Sequence, residues 1–150
     1  MKKFKFSLDS VLSYKDQVLE ALQGEHAAIM AEVRAQEEVL AAAWQAYHEY
    51  NEEFRQRKAE GMTITDAMFY ESGLRAQEGV IQRETDKLEA LRKKEEAKRQ
   101  EVVDAKNDVS SIEKLKEKKL ALYNKEVAKS EEVLIDEFVS SARARASVGA

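Results

Sequence analysis

The side chains that could do chemistry are few, and their spacing suits none of the common reactions. The two histidines, His26 and His48, stand 22 positions apart with no acidic partner at metal-ligand spacing. His48-Glu49 opens as a zinc-protease helix motif would, but the second histidine that motif needs at position 52 is a glutamate. Gly24, Gly61, Gly73, Gly79 and Gly149 compose neither a phosphate loop nor a dinucleotide fingerprint. With no cysteine, thiolate chemistry and disulfides are absent. The carboxylates are abundant but are expected on solvated helical faces, without a pocket to shift their pKa values. The expectation is a protein without a catalytic residue, a metal, a cofactor or a small-molecule substrate.

What stands out instead is aromatic. Trp44, Tyr47, Tyr50 and Phe54 precede the one turn written in the chain, and Phe69 and Tyr70 follow it. Tyr47, Tyr50 and Phe54 fall on a helix–helix seam and read first as core. Trp44 follows the seam residue Ala43 and, with Val39, is expected on the flank next to it. That gives a partly solvated strip of Val39, Ala43, Trp44 and Tyr47. Large aromatics on a charged surface serve as partner anchors as often as packing, and both readings of Trp44 stand.

The elements that position these residues are helical. Charged residues make up 36% of the chain and proline is missing altogether, a balance typical of long helices and coiled coils. Phe6-Ser7-Leu8-Asp9-Ser10-Val11 reads as a helix start, with Ser7 as cap and Phe6 and Val11 as a staple. From there spacings of four and three select Leu8, Leu12, Lys15, Leu19, Leu22, His26, Ile29, Val33, Gln36, Leu40, Ala43, Tyr47, Tyr50 and Phe54. A 3.5-residue repeat kept that long calls for a partner helix. Glu60 to Thr65 supplies the turn, with Gly61 past the helix end, Thr65 as the next cap, and Ile64 with Phe69 as its staple. The second register runs Ala67, Tyr70, Leu74, Gln77, Ile81, Glu84, Leu88, Leu91, Glu95, Lys98, Val102, Ala105, Val109 and Ile112.

These patterns predict an all-α fold, a long antiparallel two-helix coiled-coil hairpin forming a single domain over 1–150. Its helices cover about 7–59 and about 66–140, with a turn at about 60–65 and a disordered tail at about 141–150. The second helix is the longer. Beyond Leu115 it has no partner, yet Leu120, Leu122, Val127, Val133, Leu134, Ile135, Phe138 and Val139 continue an apolar pattern. The layer where Arg92–Glu101 faces Ala21–Met30 is expected to pack poorly and to be covered by alkyl stems and ion pairs.

The 29 acidic and 25 basic residues are mixed along the chain, for a net charge of −4. Nucleic acid, which needs clustered Lys and Arg, is therefore not the expected partner. Charges interrupt the apolar residues at the N-terminus, so no signal-peptide core is expected there. No window approaches the roughly 20 apolar residues of a membrane span. A cytoplasmic location is the expectation.

The opening Phe4-Lys5-Phe6-Ser7-Leu8-Asp9-Ser10-Val11-Leu12-Ser13-Tyr14-Lys15 resembles the start of the flagellar export protein FliJ family. The likeness runs on through Tyr47 and Tyr50, a short turn, and a longer helix opening with Tyr70, Leu74 and Ile81. It implies a stalk similar to that of rotary ATP synthases. Such a stalk sits in the pore of the hexameric flagellar export ATPase, contacts the membrane export-gate protein, and binds export chaperones at the inner face of the cell membrane. By position, the resemblance carries the gate contact to Val39, Ala43, Ala46 and Tyr50 and to Gly73, Gln77 and Val80, with Trp44 and Tyr47 taking over part of the apolar contact. It implies that Phe4, Phe6, Leu8 and Leu12, with Leu122 and Phe138 of the overhang, enter the ATPase ring. The stalk reading predicts a monomer when free. Its rivals are the equivalent stalk of a virulence type III secretion system, a plain coiled coil dimerising through its overhang, and a hairpin chaperone gripping substrates at Trp44.

Overall fold

The computed structural model describes residues 2–149. It contains two helices, α1 (Asp9–Glu60) and α2 (Ile64–Val148), packed against each other as a hairpin, with no strand among the described residues. They divide into two compact units: residues 20–103, which hold the turn, and residues 1–19 with 104–150.

In the unit of residues 20–103 the core is a seam. Ile29, Phe54, Tyr70, Ile81, Leu88 and Val102 are buried, and the other positions of both heptad registers within it are at least half-buried. Pairs across the seam run in opposite senses: Phe54 with Tyr70 at 5.1 Å between ring centroids, Gln36 with Glu84, and His26 with Glu95. Phe54 is 2% exposed and its outer face carries the Lys58 ammonium 3.9 Å above the ring.

The turn closes as a glycine requires. Gly61 has φ of 100°, which a side chain would make costly, and its N–H donates to the carbonyls of Arg57 (3.1 Å) and Lys58 (3.2 Å). The cap of α2, however, is Thr63 and not Thr65: Thr63 Oγ1 accepts from the Asp66 N–H at 3.1 Å, and α2 begins at Ile64. Moving the cap two residues back turns Ile64 and Phe69 outward, to 81% and 74% exposure, so they do not staple the helix.

The layer expected to be loose is filled by polar partners. His26 Nε2 lies 2.8 Å from Glu95 Oε1, with both side chains about five-sixths buried. Arg99 binds the same carboxylate through Nε and Nη2, and Lys98 reaches Glu25 at 2.9 Å and Glu101 at 2.6 Å. Arg99 first, and then His26, hold the Glu95 carboxyl below the usual carboxylate range. A second such layer joins the Gln36 amide to Glu84, whose pKa is lowered by that bond and then by Lys87.

In the other unit, Leu8, Leu12, Lys15 and Leu19 line the α1 side, while Ala105 and Val109 are buried on α2. Lys15–Asp108 (3.4 Å) and Asp9–Lys116 (2.9 Å) cross between the helices. Entry to α1 is made by the backbone, the Asp9 N–H donating to the Phe6 carbonyl at 3.2 Å. Val11, expected as half of a staple, is 40% exposed. α2 continues past the expected end near 140 as far as Val148, and every described residue from 128 onward is exposed. Ala150, the last residue of the expected tail, lies outside the described residues.

Candidate partner-binding surfaces

Near the turn the expected gate residues divide between two flanks of one seam. Val39 and Trp44 are five residues apart, which at 100° per residue separates them by about 140° around α1. They therefore do not form one strip. Trp44, 44% exposed, packs edge-on to Tyr47 (5.8 Å, 85°) and stacks on His48 (5.7 Å, 23°). With Tyr47 it lines a hollow of about 380 Å³ whose other walls are Glu78, Ile81, Gln82 and Thr85 of α2. Tyr47 Oη donates to Glu78 Oε1 at 3.2 Å, and Arg75 holds the same carboxylate at 2.8 Å. This flank is an aromatic wall with a polar floor.

The opposite flank has small residues where the first has large ones. Val39 and Val80 are exposed, Ala43 and Gln77 are half-buried, and Ala46 is exposed. At its end the Tyr50 ring lies directly on Gly73. A Cβ built on Gly73 would come within 2.7 Å of Tyr50 Cζ and 2.9 Å of Cε1. Gly73 is the bed on which Tyr50 reaches Tyr70, at 5.2 Å between centroids. Gln77 Oε1 is buried with no hydrogen-bond partner.

The expected ATPase-facing residues separate in a different way. Phe6 is 5% exposed and lies beneath the ammonium groups of Lys116 and Lys119, each 6.0 Å from the ring, so it is part of the unit's own core. Leu8 and Leu12 are half-buried in the seam. Phe4 tilts against Tyr123 at 5.5 Å, and Tyr123 Oη donates to the Lys2 carbonyl at 2.5 Å. Lys2, Lys3, Phe4, Lys5, Tyr123 and Glu126 enclose an open hollow of about 820 Å³. Leu122 and Phe138 project from α2 with 60% and 75% of their surface exposed. Tyr123 was not singled out in the sequence, although the seam spacing continues through Lys116 to it. No group of three or more metal-ligating side chains occurs among the described residues, and no helix among them is long and apolar enough to cross a membrane.

The flagellar FliJ protein family matches residues 4–147, nearly the whole chain. The chain belongs to the flagellar FliJ family. With that membership comes a place in flagellar type III protein export, as a non-catalytic component. Neither the curated proteins nor the solved structures contain a match to the chain.

Proposed function

We propose that this FliJ-family chain is a stalk and escort factor of flagellar export: it binds the hexameric export ATPase, contacts the export-gate protein of the membrane, and carries export chaperones. The observation that carries the reading is the family match over 4–147 on a two-helix hairpin whose second helix runs far beyond its first. A long charged helix pair suits a stalk, because a shaft inside a ring must pass on position without binding so tightly that it locks the ring. Leu122 and Phe138 offer the ATPase apolar surface that nothing in the hairpin covers, while Phe6, Leu8 and Leu12 shape the base from which that helix projects. The working location is the cytoplasmic face of the membrane at the flagellar base.

For the gate, the small-residue flank of Val39, Ala43, Ala46, Gly73, Gln77 and Val80 is the favoured contact. Val39 and Val80 are exposed there and leave apolar surface for a partner. The Trp44–Tyr47 wall is the second candidate, supported by its aromatic character.

The chain mixed with the export ATPase should co-elute with it and raise its hydrolysis rate; no co-elution and no stimulation would sink the stalk reading. Paired substitutions on each flank, Val39→Asp with Val80→Asp against Trp44→Ala, should weaken gate binding for one flank only. If neither does, the gate contact lies elsewhere.

A further inference from the structure

The last turns of α2 present an unusual combination. From residue 128 onward all described positions are exposed, and they include Val133, Leu134, Ile135, Phe138 and Val139. An isolated helix of about 20 residues is marginal in water, and β-branched Val and Ile weaken it further. An ordered helix there gains from a cover. The charges along this segment are also uneven. Lys114, Lys116, Lys118, Lys119, Lys125 and Lys129 outnumber Glu117 and Glu126 before Ser130, whereas Glu131, Glu132, Asp136 and Glu137 follow it with no base before Arg143.

A hollow of the opposite character opens in the same unit. Its walls are Lys2, Lys3 and Lys5 with the paired rings of Phe4 and Tyr123. Glu126 is the one carboxylate among these walls, set against three lysines, so the lining is net cationic and aromatic, and what would fill it is an aromatic side chain flanked by carboxylates. Asp136-Glu137-Phe138 is such a segment. It cannot reach the hollow of its own chain, because Tyr123 and Phe138 are 15 residues apart on one helix, about 22 Å along its axis.

We propose that the overhang pairs antiparallel with the overhang of a second copy of this chain, seating Phe138 of each copy against the Phe4–Tyr123 hollow of the other. Tyr123 lies seven residues before Ser130 and Phe138 eight residues after it. A two-fold axis near Ser130 and Glu131 therefore fills both hollows at once, as a closed isologous pair demands. The same axis lays Lys125 and Lys129 of one copy alongside Glu131, Glu132, Asp136 and Glu137 of the other. A parallel pairing would set lysines on lysines and carboxylates on carboxylates. Val127 and Leu134 provide the apolar middle, on the same face of the helix as Tyr123 and Phe138. With so few apolar layers the pair is weak, a monomer when dilute and a dimer when concentrated. It would cover the surface offered to the ATPase, although it does not rest on the stalk reading and is tested apart from it.

The test is sedimentation of the full chain over a range of concentrations. The average mass should rise from one chain to two, and salt should move the midpoint upward. Phe138→Ala should raise the midpoint at least tenfold while leaving helicity by circular dichroism unchanged, since the side chain is exposed. Lys125→Glu with Lys129→Glu should weaken pairing, and adding Asp136→Lys with Glu137→Lys in the same chain should restore it. Because the chain has no cysteine, Ser130→Cys reports orientation: near the two-fold it should oxidise to a disulfide-linked dimer, whereas Ser141→Cys should not. A single-chain mass at every concentration overturns the proposal. So does a dimer indifferent to Phe138→Ala and the charge reversals, or equal cross-linking at positions 130 and 141. ATPase stimulation is a separate readout, so the two readings can fail independently.

Discussion

Replacing Gly73 with alanine tests whether the tip of the hairpin is set by close approach or by helix propensity alone. Glycine inside a helix costs about 1 kcal/mol relative to alanine, so on propensity Gly73→Ala should stabilise α2 by that amount. The packing opposes it. The new methyl carbon would sit 2.7 Å from Tyr50 Cζ and 2.9 Å from Cε1, well inside van der Waals contact. The obstacle is the hydroxyl end of Tyr50 together with the rigid ring that carries it. Tyr50 cannot simply lean away, because it is packed on Tyr70, which is buried and tilted in turn against Phe54. Overpacking of this kind costs about 1–3 kcal/mol, and a displaced aromatic pair about 0.5–1.5 kcal/mol more. The net expectation is a loss of about 1–3 kcal/mol, a fall of several degrees in the melting temperature. Gly24, with nothing within 4 Å of a built Cβ, and Gly79, with only Arg83 Nη1 at 3.7 Å, are the controls. There alanine should stabilise by about 0.5–1 kcal/mol. The assay is urea or thermal unfolding followed by helicity, repeated in a Tyr50→Ala background, where Gly73→Ala should change sign and become stabilising. If Gly73→Ala raises the stability of the otherwise unaltered chain as much as Gly24→Ala does, the close-approach argument is wrong.

Three further outcomes follow from the local geometry. Thr63→Ala should cost about 1 kcal/mol through the lost cap, whereas Thr65→Ala should be nearly neutral; equal losses in denaturant unfolding would contradict the assignment of the cap. Gly61→Ala should cost about 1–2 kcal/mol because φ of 100° strains any residue with a Cβ, and an unchanged unfolding midpoint would show that the turn can rebuild itself. Glu95 has its pKa lowered by Arg99 and then His26, so the stability it contributes is present above the unfolded-state value of about 4.3 and is lost as pH falls through the lower folded value. Glu95→Gln should therefore weaken the hairpin at neutral pH and flatten the acid limb of its stability curve below about pH 4.5; an acid limb identical to that of the unsubstituted chain would count against the pairing.

The heptad registers were legible in the sequence because their cause is local and repeated. A helix that keeps one partner along its length must return an apolar or partnered residue to the same face every three or four positions. Leu8 to Phe54 and Ala67 to Ile112, selected on that spacing, are all buried or half-buried. The break at Gly61 was equally readable, since few other residues tolerate the conformation past a helix end. These features settle the all-α hairpin and the longer second helix.

What the tertiary structure decided lies between elements or within a residue or two of their ends. Thr63 and Thr65 are equivalent as caps on paper, and only the first hydrogen bond of α2 separates them. Val39 and Trp44 look like neighbours in a linear strip, but helical rotation sends them to opposite flanks, and only the packed hairpin supplies Glu78, Gln82 and Thr85 as neighbours of Trp44. His26 and Glu95 read as weak points in two separate registers until the antiparallel pairing sets them 2.8 Å apart. Phe4 and Phe6 are two residues apart with the same chemistry, yet one becomes core and the other the wall of an open hollow. Periodicity determines which face of each helix is buried; which residues meet across that face depends on the relative placement of two long segments, and no stretch of either one encodes it alone.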